Sequence, residues 1–102
     1  MPNGQPEVVT IRRQPDRSLV VDRDPFVVHK YRDQYVIWVC ESREYFTVEF
    51  QDGSPFYESQ FSTDHPCSGL VRRNVLPDAG RTYKYTVRIG NQVLDPGGEV
   101  DK

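Results

Sequence analysis

The imidazoles and thiols of this sequence, which could ligate a metal or act as base and nucleophile, are His29, Cys40, His65 and Cys67. His65-Pro66-Cys67 sets two potential ligands two positions apart. A structural zinc site takes four donors, ordinarily as paired close spacings. Only one close pair is present, and Cys40 ends the most apolar run of the chain, Tyr35-Val36-Ile37-Trp38-Val39-Cys40. The pattern assigns no metal ligands: Cys40 reads as a small buried hydrophobe and Cys67 as a loop thiol. One alternative for the two cysteines is a single disulfide, worth about 3 kcal/mol in the chain-entropy model. A reducing compartment argues against it.

Catalytic signatures are equally thin. There is no Gly-x-Ser-x-Gly elbow, and Cys67-Ser68-Gly69 matches no nucleophile motif. The carboxylate pairs Asp22/Asp24 and Glu41/Glu44 fall at turns, where solvation accounts for them. Gly97-Gly98 lacks the Lys-Ser/Thr of a phosphate-binding loop. The expectation is a protein that is not an enzyme and carries no cofactor. Net charge is −2, and the arginine pairs Arg12-Arg13 and Arg72-Arg73 form no basic stripe, which argues against nucleic acid. No apolar run approaches the roughly 20 residues that span a bilayer, so no membrane partner is expected. If Met1 is the natural start, the absence of a basic, apolar leader reads as cytoplasmic.

The strongest binding candidates lie in residues 52–69, where Phe56, Tyr57, Phe61 and His65 are carried on a polar segment without regular period. Long irregular connections in compact domains are often functional, and loops on a rigid scaffold concentrate binding residues. These four are the expected partner-binding residues. The competing reading has Phe56 and Phe61 plugging the open end of the fold. The partner would be another protein or a second copy of the chain, the latter through an unpaired sheet edge.

What must position these residues is a set of strands. The apolar residues are mostly Val, Ile, Phe, Tyr and Trp, types suited to a pleated, half-buried surface, whereas Ala occurs once. Residues 1–6 read as a flexible tail and 7–102 as one domain. Strands are expected at 7–13, 18–22 and 26–30, after the break at Asp24-Pro25. Tyr35–Cys40 reads as a central strand covered on both sides. In 45–50, Phe46, Val48 and Phe50 alternate with polar residues, giving one buried face. Leu70–Val75 is again extended, Pro77-Asp78-Ala79-Gly80 reads as a turn, and 82–89 is a strand with Tyr83, Tyr85, Val87 and Ile89 on one face. Gly90-Asn91 is a hairpin signal. Asp95-Pro96-Gly97-Gly98 reads as a break before a last edge strand at 99–101. A short helical turn within 57–64 is allowed. Seven to nine strands with frequent turn signals are the signature of an all-β Greek-key sandwich, with an immunoglobulin-like sandwich as the alternative.

Over roughly 24–101 the strands resemble the cupredoxin family. Phe26-Val27-Val28, Arg32-Asp33 and Val36-Ile37-Trp38 resemble its strand, turn and V-x-W strand. Tyr45–Phe50 is similar to its Pro-His-x-Val-x-Phe strand. Gly80–Val87 resembles G-x-Y-x-Y/F-x-C, and Asp95–Val100 the His-x-x-Met-x-G-x-V ending. The chain is also similar to copper-free bacterial relatives that share strings of the form FTVxF, SPF, YKYTVxV and DPG. The resemblance implies a Greek-key sandwich, and it places Phe46 and Val87 where a copper-ligating His and Cys would stand. It therefore implies no bound copper, and it puts both side chains in the interior near one end. The functional expectation is a non-catalytic protein-interaction or structural module. The alternative is a small metal-binding or redox protein using His65 and Cys67 with Cys40 or His29.

Overall fold

Alternation of apolar and polar side chains shapes ten strands among the described residues: β1 (Pro6–Arg13), β2 (Leu19–Val21), β3 (Phe26–His29), β4 (Tyr35–Cys40), β5 (Thr47–Glu49), β6 (Gln60–Ser62), β7 (Asp78–Lys84), β8 (Thr86–Ile89), β9 (Gln92–Leu94) and β10 (Gly97–Asp101). The structure is a computed structural model and describes residues 4–102. Val9 and Ile11 of β1, Phe26 and Val28 of β3, and Val36 and Trp38 of β4 are all buried. Each sits two positions from its neighbour, as a pleated strand with one inward face requires.

The strands form three hydrogen-bonded sheets, in the orders β2-β1-β4, β3-β10-β7 and β6-β5-β8-β9. Two pairs are parallel, β1 with β4 and β3 with β10. The second and third sheets are continuous in the chain. Only Tyr85 separates β7 from β8, only Asp95 and Pro96 separate β9 from β10, and the Tyr85 N–H donates to the Pro96 carbonyl at 3.0 Å. The Gly90-Asn91 turn closes this long hairpin as expected, with Ile89 opposite Gln92. Its distal arm pairs with β5 and its proximal arm with β3 through β10.

Side chains from all three sheets meet in one aromatic core. Trp38 of β4 stacks on Phe61 at 5.1 Å and meets Phe26 and Tyr85 edge-on at 6.2 and 5.7 Å. Phe50 lies 5.1 Å from Tyr85. Each such ring contributes on the order of 1.5–3 kcal/mol by leaving water. Burial pushes the Tyr85 hydroxyl pKa well above its ordinary value, an effect partly offset by the neighbouring Trp38 N–H. The phenol therefore stays protonated.

Several expected boundaries move. β4 is not covered on both sides: Val39 is exposed and Tyr35 and Ile37 are half-buried. Residues 66–68 line its outer edge, through Trp38 N–H to the Pro66 carbonyl at 3.1 Å and Ser68 N–H to the Val36 carbonyl at 2.8 Å. The expected turn at 77–80 is instead the start of β7, because β10 offers it a partner at Val100. The expected edge strand at 99–101 is the middle of its sheet, lengthened through Gly97 and Gly98. Those glycines are there for packing: a Cβ on Gly98 would overlap the Phe26 ring. Leu70–Val75 is no strand, since only Val71 bridges, to Phe56. The helical turn allowed within 57–64 is replaced by β6, and a short 3-10 turn occurs at Lys30–Arg32. Within the expected tail at 1–6, Pro6 opens β1 and the Gly4 N–H donates to the Arg32 carbonyl at 2.9 Å. The tail's first residues, Met1–Asn3, lie outside the described residues.

Candidate functional site

Of the four expected partner-binding residues, Phe56 and Phe61 are core side chains, 1% and 3% exposed. The Ser54 hydroxyl turns Phe56 inward by accepting its N–H at 3.0 Å while donating to the Glu58 carbonyl at 2.7 Å. Phe61 is fixed by its place in β6 opposite Val48. Neither has surface to offer a partner, so both are removed from the binding set. His65 is exposed, stacked on Phe61 at 5.8 Å, with Nε2 3.0 Å from a Glu58 carboxylate oxygen. It borders a shallow depression of about 460 Å³ on the outer face of β5, β6 and β8, beside Tyr45, Gln60 and Arg88. Tyr57 is 70% exposed and belongs to a different surface.

The thiols and imidazoles do not assemble. Both cysteines are free. Cys67 lies opposite Ile37, three residues before Cys40 on β4. Three strand residues span about 10 Å and end on the opposite face, beyond the ~7 Å Cα separation a disulfide tolerates. The Cys40–Cys67 bridge considered above therefore does not form. His29 contacts the Lys102 carbonyl, 3.1 Å from Nδ1, far along the chain from His65. Among the described residues, no three His, Cys, Asp or Glu converge on a point that could hold a metal ion.

Tyr57 belongs to a platform built from three loops. Its hydroxyl accepts the Arg73 backbone N–H at 3.0 Å. The Arg72 N–H donates to the Pro55 carbonyl at 2.8 Å, and an Arg72 guanidinium nitrogen donates to the Ser54 carbonyl at 2.8 Å. From the 3-10 turn, Lys30 Nζ donates to the carbonyls of Arg73 and Val75. Val75 is buried, which anchors the loop to the core. Leu76, the next residue, stands 74% exposed. A single exposed apolar residue is ordinary on a protein surface; Leu76 is set apart by standing on a loop hydrogen-bonded to a second exposed apolar ring, Tyr57. Next to it Arg81 lies over the Tyr83 ring, 4.5 Å from the centroid. Leu76, Arg72 and Arg81 were not singled out from sequence. Their one signal is the failed alternation at Asn74-Val75-Leu76-Pro77, where two adjacent apolar residues cannot share a face.

At Glu44, Arg13 grips the carboxylate in a fork, Nε and Nη2 each donating at 2.9 Å. With Ser42 donating at 2.7 Å, this holds the Glu44 carboxyl at about 2. Phe46 and Val87 are both buried, 3% and 0% exposed, on the paired strands β5 and β8 and the chain entering them. Among the described residues, no helix is long and apolar enough to cross a membrane. No protein-family model matches the chain, and neither the curated proteins nor the solved structures contain a significant match.

Proposed function

We propose that the chain is a non-catalytic, copper-free Greek-key sandwich of cupredoxin type that works as a protein-interaction module, engaging its partner with the loop end that carries Tyr57 and Leu76. The observation behind the interaction reading is that Leu76 is 74% exposed on a loop hydrogen-bonded to Tyr57 and Lys30. A side chain already held in place loses little conformational freedom on binding, and the exposed Tyr57 beside this loop is of a residue type in which interface energy concentrates.

The fold assignment draws support from the aromatic core shared by the three sheets and from the parallel pairs β1–β4 and β3–β10. An immunoglobulin sandwich is built of two antiparallel sheets, so these pairs weigh against that alternative. The burial of Phe46 and Val87 agrees with hydrophobes filling a former ligand position. Among the described residues, the metal or redox reading has no converging donor set to stand on.

The test compares cellular proteins retained by immobilised wild-type chain, by the double variant Tyr57→Ser, Leu76→Ser, and by Val93→Ser on exposed β9. Species retained by wild type and Val93→Ser but lost from the double variant are expected. Equal retention by all three overturns the reading.

A further inference from the structure

Between the 72–77 loop and β7 lies a depression of about 470 Å³, walled by Arg72, Asn74, Leu76, Asp78 and Arg81 and floored by buried Tyr83. Its charge is unbalanced. Among the described residues, the carboxylates of Glu41, Glu44 and Glu7 pair with Arg12, Arg13 and Arg23, and no carboxylate pairs with Arg72, Arg73 or Arg81. The one acid on the wall, Asp78, is turned to the Gly80 backbone N–H at 3.1 Å. Arg72 spends one nitrogen on the Ser54 carbonyl, yet its Nε is buried without a hydrogen-bond partner. Arg81 lies over the Tyr83 ring, its Cζ 4.5 Å from the centroid, and makes no ion pair there. In a chain of net charge −2, two arginines against one carboxylate thus leave net positive charge beside Leu76, the most exposed apolar side chain among the described residues.

We infer that this depression receives an acidic segment of a partner protein, an Asp or Glu carboxylate lodging between Arg72 and Arg81 while an adjacent apolar residue covers Leu76. The inference rests on the loop end being the interaction surface and adds the partner's chemistry. Carboxylate matches the geometry because a guanidinium fork presents paired donors to two oxygens. A second copy meeting through this same face would set arginine against arginine, so a self-complementary dimer is disfavoured.

The test follows backbone and Arg side-chain NMR signals of the intact chain during titration with a twelve-residue peptide alternating Glu and Leu, its Gln-for-Glu counterpart, and a single-stranded thymidine oligonucleotide. The Glu peptide is expected to shift Arg72, Asn74, Leu76 and Arg81. The Gln peptide is expected to bind about 10-fold more weakly, the equivalent of losing one charged hydrogen bond. Arg81→Gln, on an exposed side chain, should give a similar loss for the Glu peptide and none for the Gln peptide. Equal binding of both peptides at these residues overturns the acidic-segment inference and leaves the interaction surface standing. Shifts elsewhere, or none, overturn both. Tighter binding of the oligonucleotide at Arg72 and Arg81 overturns the inference in favour of nucleic acid.

Discussion

The Tyr57 hydroxyl accepts the backbone N–H of Arg73 at 3.0 Å, tying the segment after Pro55 to the loop that presents Leu76. Tyr57 is therefore both an exposed ring and a strut. Tyr57→Phe keeps the ring and removes the strut. Because the bond is exposed, its loss should cost no more than about 1 kcal/mol of stability. Amide exchange at Arg73 should quicken while exchange in β4 and β8 stays unchanged. Unaltered exchange at Arg73 would show that the loop is held by Lys30 and Pro55 alone.

Adjacent aromatic residues should differ sharply in what their truncation costs. Phe56 is 1% exposed and packs against Phe26 and Phe50, so Phe56→Ala should cost about 3–5 kcal/mol. That is a large share of a domain's typical 5–15 kcal/mol. Tyr57→Ala should cost less than about 1.5 kcal/mol, since it loses one exposed hydrogen bond. Urea denaturation of the two variants gives the comparison, and similar midpoints would contradict the burial described.

Gly98 lies against Phe26 with no room for a methyl group. Gly98→Ala must push that ring into Trp38 and Tyr85, which lie 6.2 and 5.7 Å from it. Overpacking of this kind costs about 1–3 kcal/mol. A thermal midpoint equal to wild type would show that β10 does not run beneath Phe26.

Glu44 gives the stability a pH signature. Its folded pKa, held at about 2 chiefly by the Arg13 hydrogen bonds and next by Ser42, lies below the ordinary value of 4.5. A depressed carboxyl contributes stability that is full above its unfolded pKa and is lost as pH falls through the folded one. Wild type should thus exceed Glu44→Gln in thermal midpoint at pH 7, with the gap closing between about 4.5 and about 2. The side chain is partly exposed, so the gap should also narrow with added salt. A gap constant across that window would mean that Arg13 does not hold the ionised carboxylate.

Most of the core was readable from sequence because it depends on local periodicity. Phe46, Val48 and Phe50 alternate inward as expected, and Tyr83, Tyr85, Val87 and Ile89 are all buried. What sequence could not show was pairing over distance. β10 is central because Val100 meets Val28, from the first third of the chain, and Gly97-Gly98 then serves packing where it read as a break. The candidate site was half legible. Tyr57 was singled out by type and context, but Phe56 and Phe61 share that context and differ only in the side chosen by Ser54 and β6. Arg72 and Arg81 meet around Leu76 only because β7 begins early, at Asp78, and runs back past the loop.

The central claim is that the loop end with Tyr57 and Leu76 is the working surface. The most direct measurement is backbone amide exchange of the chain alone and in complex with a partner recovered on the immobilised wild-type chain. Protection confined to 55–58 and 70–78 is the predicted result. Protection on the outer face of β5, β6 and β8, with those loops unchanged, would contradict it.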